Sequence, residues 1–353
     1  MVGRASRAPF NDSWRFHLGD VAGAETAAYD DSGWRELDLP HDWAIEGPFD
    51  VKYNARCGGL PFHGTGWYRK TFDVPSDARG KVVSIAFDGA MYNAYVWVNG
   101  QFLGNRPYGY IQFQVDISEH LKYDRANVIA VRLTPEDLSS RWYPGAGIYR
   151  NVWIDYSNPV HVAQWGTFVT TPEVDADHAV VAVETTIDGA NAETAPGVTY
   201  EIVDPAGQVV VQADADVSGD GGMASGRLRV SAPQLWSLDD PRLHTLRTTV
   251  SDGGAVVDIV GTRFGIRSLE SSKTEGLSLN GTHTRIQGVY LHHDNGPLGA
   301  AVDRRAIERK LQIMKKMGVN SVRTSHNPPS NELLDLCDDV GELPNDTFPE
   351  NRP

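Results

Sequence analysis

The sequence predicts a mostly β multidomain protein: a jelly-roll sandwich, an immunoglobulin-like sandwich, and then the first two β-α units of an incomplete (β/α)8 barrel. The length of 353 residues favours two or three domains. Short strand patterns separated by Gly and Pro turns fill the chain to about residue 267. After Leu279 the pattern changes to strand, loop, helix, strand, loop, helix, as at the start of an α/β barrel. The predicted boundaries are 1–157, 158–267 and 268–341, with a disordered tail at 342–353.

The first unit, residues 1–157, has the signals of a jelly roll. Many short strands with turn residues between them are typical of this architecture. The pair Asn99-Gly100 is the strongest hairpin signal in the unit. Strands are predicted from Gly66 onward and at 82–87, 94–98, 111–117 and 128–133.

The tryptophans of this unit divide into two groups. Trp67, Trp97 and Trp153 lie inside strand patterns, where large aromatic side chains usually pack in a core. Trp142 instead lies in a loop rich in Gly and Pro, where packing rarely demands an aromatic side chain. We therefore expect Trp142, and not the strand tryptophans, to be available to a ligand.

The second unit, residues 158–267, begins after the boundary signal Asn158-Pro159. About seven short strands over some hundred residues fit an immunoglobulin-like sandwich. No chemistry is predicted in this unit, and we interpret it as a spacer. Its strands are predicted at 180–186, 198–203, 209–213, 226–230, 243–250 and 256–260.

The third unit, residues 268–341, contains two β-α repeats. Strands are predicted at 285–290 and 319–323. Asp303 is expected to cap a helix that ends at Gly318, and Ser330 a helix that ends at Gly341. No third strand is expected after Gly341, because residues 342–353 hold three prolines and several polar side chains.

Polar clusters follow both predicted strands of this unit. The first holds His292, His293, Asp294 and Asn295, and the second holds residues 324–327. In α/β barrels the chemistry collects where strands end, at the carboxyl edge of the sheet. The placement predicts a functional site at this edge. Metal ligation by the first cluster is disfavoured, because adjacent residues leaving a strand point to opposite faces.

Composition excludes several classes of partner. The formal net charge is −14 and no Lys/Arg run stands out, so neither nucleic acid nor an anionic membrane is an expected partner.

Cys57 and Cys337 lie in different predicted domains, which argues against a disulfide framework. With no secretion signal and no run long enough to span a bilayer, we expect a cytoplasmic protein.

The chain resembles glycoside hydrolase family 2, the family of β-galactosidases, β-glucuronidases and β-mannosidases. In the third unit the resemblance lies in Gly288-Val-Tyr-Leu-His-His-Asp-Asn, in the segment 315–328 ending Val-Arg-Thr-Ser-His-Asn-Pro, and in Leu336-Cys-Asp. Upstream it lies in Leu39-Pro-His-Asp-Trp, Gly66-Trp-Tyr-Arg-Lys, the segment 139–151 and Leu235-Trp-Ser-Leu-Asp-Asp-Pro. The galactosidases match the first of these motifs better than the glucuronidases do.

The resemblance implies a set of substrate-binding residues. His292 matches a histidine that hydrogen-bonds sugar hydroxyls, and His326 matches one that stabilises the sugar at the transition state. Arg323 matches an inward arginine that organises the site's carboxylates, although a purely structural arginine is an equal alternative. Asn327 belongs to the same motif as His326. Arg141 and Trp142 match a loop that reaches over the barrel mouth.

The resemblance also implies what this chain lacks. Retaining hydrolysis of a glycoside needs two carboxyl groups about 5–5.5 Å apart at strand ends. The family's acid/base and nucleophilic glutamates lie on later barrel strands, so no catalytic residue is assigned here. The barrel-portion acids identified are Asp294 in a loop and, on helices, Asp303, Glu308, Glu332, Asp335, Asp338 and Asp339.

We therefore expect the N-terminal portion of a β-galactosidase-like hydrolase of carbohydrate metabolism, truncated within its barrel and inactive alone. Its expected partner is a small-molecule β-glycoside. The sequence does not decide whether the protein forms a homo-oligomer. No cofactor is predicted for this chain. A full-length relative could bind magnesium, but the family's magnesium ligands belong mostly to the portion of the barrel that this chain lacks. Three alternatives are a non-catalytic carbohydrate-binding protein, a β-glucuronidase-like relative and a non-functional gene remnant.

Overall fold

The structure, a computed structural model, describes residues 7–54, 58–61, 63–136, 142–191 and 196–345. In these residues two β sandwiches are followed by a small three-stranded sheet and a parallel α/β segment. The prediction of β sandwiches followed by the beginning of a barrel is confirmed. No helix in the described residues is long and apolar enough to cross a membrane.

The first sandwich consists of a four-stranded sheet, β1-β10-β5-β8, and a six-stranded sheet, β3-β2-β4-β9-β6-β7, both antiparallel. Trp14, Tyr68, Ile85 and Phe87 are fully buried between the sheets. The strands are β1 (Arg7–Pro9), β2 (Trp14–Leu18), β3 (Arg35–Leu37), β4 (Gly66–Phe72), β5 (Val82–Phe87), β6 (Ala94–Val98), β7 (Gln101–Arg106), β8 (Phe113–Asp116), β9 (Asn127–Leu133) and β10 (Val152–Ser157).

The strand tryptophans of this sandwich differ in burial. Trp67 is buried, as predicted, in a small cluster with Ala24 and Ala130 outside the main core. Trp97 is half-buried and stacks on Trp67, with 5.5 Å between the ring centroids. Trp153 is also half-buried and donates a 2.8 Å hydrogen bond from Nε1 to Asp88. The core prediction is therefore wrong in part for Trp97 and Trp153, because both lie on the outer side of their sheets.

The second sandwich packs sheet β11-β12-β16-β15 against sheet β14-β13-β17-β18. Its core includes Val181, Tyr200, Ile202 and Leu246. All six predicted strands are present, but the 14-residue strand β11 was missed because bulges and polar residues interrupt its pattern. The strands are β11 (His161–Val174), β12 (His178–Asp188), β13 (Gly197–Val203), β14 (Val209–Asp214), β15 (Asp216–Val217), β16 (Met223–Ser231), β17 (Leu243–Asp252) and β18 (Ala255–Gly265).

A three-stranded antiparallel sheet precedes the α/β segment. It is formed by β19 (Leu269–Ser272), β20 (Gly276–Leu279) and β21 (Thr282–His283). Asn280 and Gly281 make the turn between β20 and β21 with φ angles of 51° and 74°. This left-handed conformation suits the Asn-Gly pair.

The α/β segment follows the predicted order. It contains β22 (Gly288–Leu291), α1 (Arg304–Lys316), β23 (Ser321–Thr324), α2 (Asn331–Val340) and β24 (Leu343–Asn345). Both predicted caps are confirmed: Asp303 accepts from the Ala306 N–H, and Ser330 from the Leu333 N–H. Ile307 and Leu311 of α1 pack with Leu333, Leu336 and Cys337 of α2 over the parallel strands.

The prediction that no strand follows Gly341 is wrong over Leu343–Asn345. This segment pairs in parallel with β23, and the Leu343 N–H donates to the Asn320 carbonyl at 3.0 Å. Leu343 is buried with Trp236 and Leu279. Because β24 is the edge of the described sheet, Pro344 is tolerated there despite lacking an N–H.

Trp236 joins the second sandwich to the α/β segment. Its indole N–H donates to the carbonyl of Asp338 on α2 at 2.9 Å, and its own carbonyl accepts from Asn280 at 2.9 Å. The Arg267 guanidinium lies 4.4 Å from the centre of the indole ring. The second sandwich is therefore not only a spacer, because it packs directly on helix α2.

Candidate functional site

The ends of β22 and β23 meet at one edge of the parallel sheet. Leu291 pairs with Thr324, and the Ser325 N–H donates to the Leu291 carbonyl at 3.0 Å. The chain leaves these strands at His292 and His326, whose ring centroids lie 6.0 Å apart at 86°. The two histidines predicted at strand ends are therefore neighbours.

Trp142 brings the first sandwich into this cluster. Its ring stacks on His292 with 4.1 Å between centroids and 12° between planes. Its Nε1 donates a 2.7 Å hydrogen bond to the Asp294 carboxylate, which fixes the ring. The side chain remains 45% exposed. Arg141, predicted beside it, lies outside the described residues.

Asn327 is hydrogen-bonded to Tyr108, which is not among the site residues predicted from the sequence. The Tyr108 hydroxyl donates to Asn327 Oδ1 at 2.9 Å, and the phenol is 42% exposed. Tyr108 follows β7 in the loop Arg106-Pro-Tyr-Gly-Tyr. An exposed aromatic in a loop rich in Gly and Pro is the signal that also indicated Trp142.

Arg323 lies half-buried on β23, beneath the histidines. Its guanidinium is 4.9 Å from the centre of the Tyr290 ring and donates to Ser325 Oγ at 3.1 Å. Among the described residues it forms no ion pair with a carboxylate. The role expected from the resemblance, organising carboxylates, stays a prediction.

His293 has a structural role. It is packed edge-on against Tyr110 and Tyr149, and its Nε2 lies 3.1 Å from the Pro144 carbonyl. A carbonyl only accepts, so Nε2 carries the proton in this contact. Burial lowers the pKa of His293 to about 4, so the ring is neutral at pH 7. It supports the loop that carries Trp142.

His292 lies at the surface of the same strand end. Its partial burial lowers the pKa, and the nearby Asp294 carboxylate opposes that shift. A neutral imidazole has one N–H donor and one acceptor nitrogen, which suits a sugar hydroxyl that both donates and accepts.

Asp42 ties three loops together beside the cluster. Oδ1 accepts from the N–H groups of Ala44 at 3.1 Å and Ala146 at 3.0 Å. Oδ2 accepts from the Tyr143 hydroxyl at 2.6 Å and the Ala300 N–H at 2.8 Å. Burial raises the pKa of Asp42, and these hydrogen bonds act against the rise. The carboxylate holds the loop following Trp142 against the loop following Asn295.

Arg150 fixes the second strand-end loop. The side chain is buried, and its guanidinium donates to the carbonyls of Pro328 at 2.9 Å, Pro329 at 3.2 Å and Tyr110 at 3.1 Å. The loop carrying His326 and Asn327 is thus positioned from the first sandwich. Below the strand ends a cavity of about 30 Å³ is lined by Arg150, His293, Asn295, Lys310 and Ser330. It has room for water but not for a sugar ring, so a sugar would bind on the exposed side of the cluster.

No group of three or more His, Cys, Asp or Glu side chains that could hold a metal occurs in the described part of the chain.

Comparison with known protein families agrees with this architecture. The model of glycosyl hydrolases family 2 matches residues 160–267, and that of the family's TIM barrel domain matches 271–343. The chain belongs to glycoside hydrolase family 2. The model of the β-galactosidase second all-β domain additionally matches residues 29–138.

Relatives of this family 2 chain are named either as β-galactosidases or as β-glucuronidases. A β-galactosidase of Bacteroides ovatus, BoGH2A, is 47% identical over 349 residues, which cover 97% of this chain and 41% of that protein. A putative β-glucuronidase of Formosa agariphila is 37% identical, with 95% of this chain and 32% of that protein covered. The crystal structure of a family 2 member from Bacteroides cellulosilyticus superposes with a TM-score of 0.91 at 38% identity, covering 97% of this chain and 46% of that one. The chain spans less than half of each of these relatives.

Proposed function

We propose that this chain provides the sugar-binding face of a family 2 enzyme that hydrolyses terminal β-galactosides with retention. The observation that carries the proposal is the composite cluster at the strand ends. There Trp142 of the first sandwich stacks on His292, and His326 lies perpendicular to it. A partly exposed indole beside hydroxyl-binding imidazoles matches the apolar face and hydroxyl rim of a pyranose.

The Asp294 carboxylate of the cluster favours a neutral sugar over a uronic acid. Asp294 accepts the Trp142 indole N–H and lies beside His292, so its negative charge is held at the rim. A uronate carboxylate near this rim would be repelled. Galactose carries no such charge. The 47% identity to a β-galactosidase points the same way.

The cluster contains sugar-contacting groups without a carboxylate pair. Asp294 is the carboxylate that the described contacts place in the cluster, where it accepts from Trp142 Nε1 and lies beside His292. Retention needs an acid and a nucleophile. We therefore expect this chain alone to bind galactose and not to hydrolyse aryl β-galactosides. Turnover above buffer that His326→Ala abolishes would contradict this expectation.

Calorimetric titration of the chain with galactose and with glucuronic acid tests the proposal. We expect galactose to bind more tightly, and His326→Ala to weaken it at least about tenfold, a loss of about 1.4 kcal/mol. His283→Ala serves as the matched control, because this histidine is exposed on β21. Equal galactose affinity for wild type and His326→Ala would refute the site. Preference for glucuronic acid would refute the choice of sugar.

A further inference from the structure

A second cleft lies where the two sandwiches meet. It has a volume of about 210 Å³, and its walls come from β1, β10, β11 and β18. Its lining includes Arg7, Asp155, Gln164, Trp165, Thr167 and Gly261. None of these residues belongs to the strand-end cluster.

Trp165 has a conformation and an exposure that packing does not explain. It lies in an irregular part of β11 between the pairings of Val162 and Thr167, and its φ is 54°. This left-handed conformation is unfavourable for a residue with a bulky side chain. The indole is nevertheless 54% exposed. The backbone therefore presents a large aromatic face to the cleft at a conformational cost.

Polar groups surround this aromatic face in a fixed arrangement. Arg7 donates from Nε and Nη2 to the two oxygens of Asp155, both at 2.9 Å, and from Nη2 to Gln164 Oε1 at 3.2 Å. The Gln164 amide oxygen is thus held by Arg7. The Thr167 hydroxyl is buried and has no hydrogen-bond partner within the described residues. The cleft thus combines an apolar ring with donors that a ligand could use.

Gln164 also lines a neighbouring groove of about 380 Å³. Ser84, Gln114, Asp116, His161 and Asp188 line that groove together with apolar residues. An aromatic platform beside a groove that presents several polar side chains suits a chain of sugar units better than a single sugar. The Asp116 and Asp188 carboxylates disfavour an acidic saccharide.

We propose that this cleft is an accessory binding site for a neutral oligosaccharide, with one pyranose unit stacked on Trp165 and the next units along the groove. The indole would cover the C–H face of the ring, and Gln164 and Thr167 would bond its hydroxyls. Such a site would hold a longer carbohydrate on the enzyme away from the strand-end cluster. The choice of a galactoside as probe rests on the proposed function, whereas the cleft geometry does not.

Fluorine NMR of the chain labelled with 5-fluorotryptophan tests the proposal. Each of the nine tryptophans gives one signal, and the Trp165 and Trp142 signals are assigned from Trp165→Phe and Trp142→Phe. Titration with β-1,4-galactotriose is expected to move the Trp165 signal to saturation. Galactose is expected to move the Trp142 signal. The Trp142 signal tests the proposed function, and the Trp165 signal tests the accessory site. The experiment can therefore refute one proposal without refuting the other.

Matched variants decide whether Trp165 itself binds the trisaccharide. Trp165→Ala should weaken binding at this site about tenfold, measured by calorimetry in the Trp142→Ala background. Phe168→Ala, which removes a similarly exposed aromatic from the same strand, should leave it unchanged. A Trp165 signal unmoved by the trisaccharide would overturn the proposal. So would a wild-type dimer that Trp165→Ala converts to monomer, because the face would then bind a second copy of the chain.

Discussion

The indole of Trp142 and the imidazole of His292 lie parallel with 4.1 Å between their centroids, although 149 residues separate them in sequence. One belongs to a loop of the first sandwich and the other to the end of β22. The same two segments are joined by the bond from Trp142 Nε1 to Asp294. The proposed sugar-binding face therefore exists only when the first sandwich is docked on the parallel strands.

Replacement of Trp142 should separate binding from stability. Trp142→Ala is expected to weaken galactose binding by about 1 kcal/mol, or roughly fivefold, because the stacking face is lost. The free energy of unfolding should change little, because the side chain is 45% exposed. Calorimetric titration and urea denaturation measure the two effects. Equal galactose affinity in Trp142→Ala and wild type would remove this loop from the site.

Asp42 should be important for stability and for the position of the Trp142 loop. Asp42→Ala leaves the donors of Ala44, Ala146, Ala300 and Tyr143 without their acceptor, and is expected to cost about 3 kcal/mol in urea denaturation. Asp42→Asn retains one oxygen and should cost less. A loss below about 0.5 kcal/mol for Asp42→Ala, the range of ordinary surface changes, would show that the carboxylate does not hold these loops.

His293 should make the chain less stable in acid. Its pKa is lowered to about 4 in the folded protein, against an ordinary value of 6.5. Between these values the unfolded chain binds more protons, so this stabilising contribution is complete above pH 6.5 and is lost as the pH falls towards 4. The full contribution is about 3 kcal/mol.

The measurement compares unfolding free energies at pH 7 and pH 5 for wild type and His293→Gln. The wild type should lose more stability than the variant on acidification. Other groups titrate in this range, including Asp88, whose pKa burial raises to about 6. The difference between the two proteins isolates His293. Identical pH dependence in both would contradict the buried neutral imidazole.

Glu342 should have the opposite pH dependence. The side chain is fully buried, and neither carboxylate oxygen has a hydrogen-bond partner within the described residues. Burial raises its pKa from 4.5 to about 7, while the Lys315 charge opposes the rise. The folded chain then binds more protons between these values, so this contribution is lost as the pH rises from 4.5 to 7.

Glu342→Gln, which has no charge to bury, should be more stable than wild type at pH 8 by about 1–3 kcal/mol. This advantage should shrink at pH 5, where the wild-type carboxyl is largely protonated. Glu308→Gln on α1, where the half-exposed carboxylate is ion-paired with Arg305 at 3.1 Å, is the control and should show no such pattern. An advantage of the same size at both pH values would contradict the raised pKa.

Local patterns predicted much of this molecule. Val82–Phe87 and Ala94–Val98 have the predicted bounds, because a short apolar run that ends near turn residues is a signal contained within one stretch of sequence. Asp303 and Ser330 cap their helices as expected, because a cap and its N–H partner are three residues apart. The strand-end histidines were predicted for the same reason, because each strand and the polar residues that follow it are adjacent in sequence.

Local sequence patterns gave wrong or incomplete predictions where contacts between residues distant in sequence determine the structure. Pro344 argued against a strand, but burial of Leu343 against Trp236 and Leu279 and the open edge of the sheet outweigh that preference. Tyr108 has the same kind of loop signal as Trp142, but its hydrogen bond to Asn327, 219 residues away, follows only from the tertiary structure.

The sequence by itself determined the order of the elements, their caps and turns, and the two histidines that leave neighbouring strands. These features depend on backbone preferences and contacts within a few residues. Only the tertiary structure decided that Trp142 covers His292, that Asp42 and Arg150 hold the strand-end loops, and that Trp165 faces a cleft between sandwiches. Those relationships join segments from different units, and they are set by how the surfaces of those units fit together once each has folded.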